Sequence, residues 1–159
     1  MTDFHTPQDL LGQLDHSKLV NLLGYLLAQA SVQTNKIFDT QVARPLQLTQ
    51  LEFSILVLVD CNPGTTSKQL AQALATVPAR MSLLLDRLDG RSLICREQSV
   101  VDKRFQHLTL SNSGVALVNK ALSISTTMEE ALLRHLTRGE RTVLMELLWK
   151  VAMAGRKPE

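Results

Sequence analysis

Aromatic residues make up only 4% of the 159 positions, with one Trp and one Tyr. A core so poor in rings must come from Leu, Val, Ile, Ala and Met, a composition that favours helices over a β-sandwich. The only cysteines, Cys61 and Cys95, form no CxxC pair. That leaves no disulfide framework and no thiolate zinc site, and both are expected as reduced, partly buried thiols. The histidines His5, His16, His107 and His135 lack ligand spacing, so neither metal nor cofactor is expected. A Gly-rich phosphate loop, a nucleophile elbow and paired carboxylates are all missing, which leaves an enzyme without its parts. No apolar run approaches the roughly eighteen residues of a membrane span, and the first residues lack the charged-then-apolar order of a secretion signal. The chain is therefore expected in the cytoplasm, without a membrane partner.

What is present is enough for a core, since 45% of the residues are hydrophobic. The net charge of +2 decides little, but its distribution says more. Between 62 and 114 there are seven Lys/Arg against four Asp/Glu, and elsewhere ten against eleven. A basic middle between near-neutral ends points to an anion facing the middle.

Residues 1–14 read as a loose arm, with one short helical turn at Thr6-Pro7. His16, Leu19, Val20, Leu23, Leu27 and Ala30 then fall on one helical face, opposite Lys18, Asn21, Tyr25 and Gln29. This predicts a long helix from about Asp15 to Thr40, broken at Arg44-Pro45. Three later helices are announced by a hydroxyl residue with Glu or Gln three places on: Thr49/Glu52, Thr66/Gln69 and Thr137/Glu140. In each, the hydroxyl accepts an orphan N–H while the acid or amide reaches back to the cap. The last helix is expected to bury Val143, Leu144, Leu147, Leu148 and Val151, with Trp149 as a core or interface anchor.

The middle is the informative part. A short helix after Thr66, a three-residue link and a helix capped by Thr76 and running to Leu88 have the dimensions of a helix-turn-helix. Met81, Leu84, Leu85 and Leu88 share the buried side of the second helix. After Gly90 the period changes to two, and 93–98 and 105–110 read as a β-hairpin. Ser111 caps a long helix in which Ser123–Thr127 predicts a bend.

These residues resemble a known family. The series Leu48-Thr49, Glu52-Phe53, Pro63-Gly64, Leu70-Ala71, Met81-Ser82, Leu85-Asp86-Arg87-Leu88, Leu93-Ile94, Arg96, Asp102-Lys103-Arg104 and Leu110-Ser111-x-x-Gly114 is similar to the MarR (multiple antibiotic resistance regulator) family. The resemblance implies a mainly α fold with a small β-hairpin wing: a winged helix-turn-helix at 48–110, an arm and dimerisation helix at 1–47, and C-terminal dimerisation helices at 111–159. It further implies a homodimeric regulator, most simply a repressor, that leaves a pseudo-palindromic operator when a small aromatic acid or phenol binds. Two positions depart from the family pattern. Ser92 stands where Gly is common, with Gly90 two residues earlier, so the end of the recognition helix is expected to be shaped differently. Leu83 stands where a basic residue is frequent.

A recognition helix in the major groove offers its outer, N-terminal residues to base edges. Here those are Pro78, Ala79, Arg80, Ser82 and Leu83, with Arg87 beside them. Ser67, Lys68 and Gln69 begin the preceding helix, where backbone N–H groups suit phosphate. In the wing, the resemblance gives Asp102 a bracing role and brings Lys103 and Arg104 to the minor groove. Arg96 is expected to pair with Asp102 or to touch phosphate. His16 and Phe53 are the candidate effector contacts. The partners expected are double-stranded DNA, a second copy of the chain and a small-molecule effector. A winged-helix module that binds protein instead of DNA is the alternative, and a small hydrolase or metal enzyme ranks last.

Overall fold

The structure is a computed structural model that describes residues 14–98 and 106–154. The short turn expected at Thr6-Pro7 lies outside them. Ser17 N donates to Asp15 Oδ1 at 2.8 Å, which closes a local turn on the aspartate instead of opening a helix. Leu22 is extended (φ −96°, ψ 115°), and helix α1 (Leu23–Phe38) starts only there. The break expected at Arg44-Pro45 does not occur. Asp39–Ala43 form a π-helical turn in which Arg44 N donates to Asp39 O, and α2 (Arg44–Leu46) carries the helix on. Pro45 has no N–H to give, and a stretch already paired i→i−5 absorbs the missing donor without a break. The helix stops at Gln47, which is left-handed (φ 53°).

Helix α3 (Gln50–Cys61), helix α4 (Ser67–Ala73) and helix α5 (Pro78–Gly90) follow. The capping boxes at Thr49/Glu52 and Thr66/Gln69 form as their spacing predicts. Helix α5 starts differently. Thr76 N donates to Ala71 O at 2.9 Å, and Thr76 is not the cap. Val77 is extended and Pro78 opens the helix, because proline needs no N–H partner in a first turn and keeps its predecessor out of the helical region. Strands β1 (Ile94–Gln98) and β2 (Gln106–Leu110) pair antiparallel, from Ile94↔Leu110 to Gln98↔Gln106. Helix α6 (Asn112–Leu132) runs without interruption through Ser123–Thr127. Thr126 Oγ1 bonds the Leu122 carbonyl at 3.0 Å, so a hydroxyl that competes with the helix is instead satisfied by it. Helix α7 (Arg138–Met153) opens on the third capping box. There the Thr137 N–H and hydroxyl both donate to Glu140 and hold its carboxyl below the ordinary value.

One core links these elements. It runs from Phe38 and Val42 through Ile55, Leu56, Leu70, Met81, Leu85, Leu88, Ile94 and Leu108 to Val118, Ala121 and Met128. The four expected residues of α5, Met81, Leu84, Leu85 and Leu88, are all buried. The terminal helices behave otherwise. The expected facing is met only in part: His16 and Val20 are half-buried and Lys18 and Asn21 exposed, but Leu19, Leu23, Leu27 and Ala30 are exposed while Tyr25 and Gln29 are half-buried. No residue of α7 is buried, and Val143, Leu147, Leu148 and Val151 lie open with Trp149. Among the described residues, these stripes are left exposed. Cys61 and Cys95 are free thiols and exposed, not partly buried, because both side chains face away from the core. Among the described residues no single helix is long and apolar enough to cross a membrane, and no cluster of three His, Cys, Asp or Glu forms.

Candidate nucleic-acid interface

With its apolar stripe facing inward, α5 turns Pro78, Ala79, Arg80, Ser82, Leu83 and Arg87 outward, all exposed. Leu83 is 66% exposed. Arg80, Leu83, Asp86 and Arg87 form one wall of an open cleft of about 990 Å³ whose other wall is the head of α3, from Thr49 to Ser54. In α4, Lys68 and Gln69 are exposed and Ser67 is half-buried. The Gln69 amide oxygen is taken up by Thr66 N and Thr66 Oγ1, each at 2.9 Å. The link between the two helices includes a left-handed Ala75 (φ 47°).

Three arginines tie α5 to its neighbours. Arg96 on β1 reaches Asp86 at 2.7 Å and Asp89 at 3.2 Å. It thus braces α5 against the wing, where the sequence suggested Asp102 or phosphate. A carboxylate pair one helical turn apart on α5 meets the guanidinium fork from the strand. Asp102, Lys103 and Arg104 lie outside the described residues. Arg87 Nε stands 3.4 Å from Oε1 of Glu52, a fully buried carboxylate whose other oxygen accepts from Thr49 N and Oγ1 at 2.8 and 2.9 Å. Arg91, just past α5, donates to the carbonyls of Gln47 at 2.6 Å and Leu46 at 3.1 Å. Glu52 and Arg91 are residues the sequence reading missed as parts of this site. Their partners sit 35 to 45 positions away, and no local spacing announces such a pair.

The wing is seated with equal care. His107 Nδ1 donates to the Gly64 carbonyl at 2.7 Å, and Leu108 N to Thr65 O at 2.8 Å. Ser92 is left-handed (φ 56°), the conformation that Gly takes without strain. Gly90 does not supply it. The Ser92 carbonyl then accepts from Ser111 Oγ and Ser113 Oγ, each at 2.6 Å. Gly114 slides beneath the same turn, and a Cβ there would stand 2.0 Å from Leu93 O. The Leu-Ser-x-x-Gly spacing is thus a packing requirement: a cap, then a residue without a side chain where helix meets strand.

The two effector candidates are not brought together. His16 hydrogen-bonds Tyr25 at the head of α1, ring against ring at 5.8 Å. Phe53 packs on Phe38 at the other end of α1, with ring centroids 5.6 Å apart. The thirteen residues from Tyr25 to Phe38 span roughly 20 Å.

The sequence pattern of the MarR family matches residues 48–105, which holds α3 to α5 and the first wing strand, β1. The DNA-bound structure of the transcriptional repressor CouR, on a 23-mer duplex, is 33% identical, with a TM-score of 0.83 over 88% of this chain and 99% of that one. The chain belongs to the MarR family. It is thus a DNA-binding regulator of transcription and not an enzyme. The HTH-type transcriptional repressor NicR of Pseudomonas putida is 27% identical over 147 residues, 92% of this chain and 87% of NicR. The PcaV regulator of Streptomyces coelicolor, solved with its natural ligand, is 19% identical and shares the fold, with a TM-score of 0.78 over 90% of this chain and 98% of that one. The three arginine ties, the glycine seat and the left-handed Ser92 are therefore how this chain builds a MarR winged helix.

Proposed function

We propose that the chain is a homodimeric repressor that holds a pseudo-palindromic operator through two α5 helices and releases it when a small aromatic acid or phenol binds. The observation that carries this reading is the outer face of α5, where Arg80, Ser82, Leu83 and Arg87 stand exposed on a helix braced from behind. Arg80 takes a guanine edge or a phosphate, and Leu83 meets a thymine methyl. Lys68 and the first turn of α4 lie on phosphate, while Lys103 and Arg104 of the wing reach the minor groove. Both CouR and NicR are repressors, and CouR was solved on duplex DNA. The open apolar stripes of α1 and α7 supply the interface between two copies. That pairing sets the recognition helices about one DNA turn apart, roughly 34 Å.

The effector half of the reading rests on the head of α1. His16 and Tyr25 present an imidazole and a phenol at a half-buried site, a pair suited to a carboxylate or hydroxyl on an aromatic ring. Phe53 is left to the core with Phe38. A ligand that favours a dimer with the wrong helix spacing shifts the population away from DNA.

Duplex affinity against salt tests the DNA-binding half. Operator DNA selected from a randomised pool should be bound with an affinity that falls steeply with salt. Arg80→Ala and Arg104→Ala should each weaken it by about tenfold or more at moderate salt. Affinity indifferent to salt and to both substitutions would leave a winged-helix module that binds protein.

A further inference from the structure

We propose that Arg91 is a positioning residue that sets the spacing of the two recognition helices, by fastening α5 to the end of the dimerisation helix. The proposal rests on the DNA-binding dimer above and adds the part that transmits geometry within it. Arg91 is the first residue beyond α5. Its guanidinium grips two backbone carbonyls, Gln47 O at 2.6 Å and Leu46 O at 3.1 Å. Leu46 is the last residue of the helix that begins as α1 and Gln47 is its left-handed cap, a helix end where terminal carbonyls lack helical partners and the dipole favours a cation. The grip is two-pronged, with each terminal guanidinium nitrogen on its own carbonyl, a spacing that the rigid planar fork of arginine fixes and the single nitrogen of a lysine does not. Because its acceptors are main-chain atoms, it holds the helix itself and not a side chain free to change rotamer.

Both ends of the strut are firmly seated. On one side Val42, Leu46 and Leu48 are buried, and on the other Leu85 and Leu88 are. The second tie between α5 and the elements before it, Arg87 to Glu52, is longer at 3.4 Å and has a single prong. From Arg91 to Arg80 the helix spans roughly 16 Å, so a 10° tilt about Arg91 moves Arg80 by about 3 Å. That is close to one base-pair step of ~3.4 Å. A residue far from DNA therefore controls where the reading side chains fall. The left-handed Gln47 (φ 53°) places the sharp end of the first long helix at the point that Arg91 grips.

An arginine that merely capped a helix would change stability and leave the preferred half-site spacing alone. The test uses the full chain and duplexes selected by it from a randomised pool, plus copies with one base pair added or removed at the centre. Wild type should prefer the selected spacing by roughly tenfold or more. Arg91→Met, measured well below its melting temperature and checked as a dimer, should lower that preference below about threefold, with Arg91→Lys between the two. If Arg91→Met does not fold, Arg91→Lys alone decides, through the same ratio. Variants that fold and keep the wild-type ratio, whatever their absolute affinity, overturn the strut. Wild type that selects no duplex would instead overturn the DNA-binding reading, and the strut with it.

Discussion

In α5 the apolar stripe of Met81, Leu84, Leu85 and Leu88 is wholly buried, whereas α7 carries a stripe of similar length with no buried residue. The two helices look alike as patterns, and each is a good amphipathic sequence. They differ in what covers them. The stripe of α5 joins one core cluster with side chains of α3, α4, β1 and β2. Among the described residues the stripes of α1 and α7 stay largely exposed, and five large apolar residues of α7 between Val143 and Val151 lie open, together with Met145. Periodicity shows that a face will be covered. It does not show by what. The winged helix covers its stripe from within, and the flanking helices leave theirs exposed, which is what the proposed pairing of two copies would cover.

The sharpest way to break this contrast is to charge the open stripe. Leu147→Glu should raise the dimer dissociation constant by roughly a hundredfold, equivalent to about 3 kcal/mol. It should leave the folded content of the subunit unchanged. Sedimentation equilibrium and circular dichroism together check it. A dimer indifferent to the glutamate would remove α7 from the interface.

The opposite prediction holds inside the winged helix. Gly114→Ala forces a methyl group against the Leu93 carbonyl and should destabilise the subunit by about 3 kcal/mol, read as a lower urea midpoint with an unchanged slope. A neutral alanine would mean that helix and strand can part there without loss. Ser92→Gly sharpens the picture from the other side. It removes a left-handed serine while keeping the carbonyl that Ser111 and Ser113 bond, and should stabilise by about 0.5–1 kcal/mol. A melting temperature that falls instead would show that the serine side chain contributes more than its strain.

Capping boxes were the most legible part of the fold, because a cap and its N3 partner are three residues apart and answer only to each other. All three formed. The buried face of α5 was legible for the same reason, since a regular helix fixes which residues share a side. Errors came where a local signal met a competing local bond. Asp15 closed a turn on Ser17 and delayed α1 to Leu23. A π-helical turn carried the chain past Arg44-Pro45. The exposure of the outer face of α5 was legible, and the ties behind it were not. Arg80 and Leu83 follow from helical periodicity alone, but the grips of Arg91 on Gln47 and of Arg96 on Asp86 join segments that meet only after folding. The facing of α1 and α7 was misread for a third reason, because periodicity marks an apolar stripe without saying what covers it, and the described residues leave these leucines exposed.

The central claim is that two copies present two α5 helices to one duplex. Sedimentation velocity of the protein with an equimolar amount of its selected duplex tests this most directly. The account predicts a two-chain particle in free solution that takes up one duplex and leaves no intermediate of one chain on DNA. A lone chain in solution, or one that binds duplex without pairing, would contradict it.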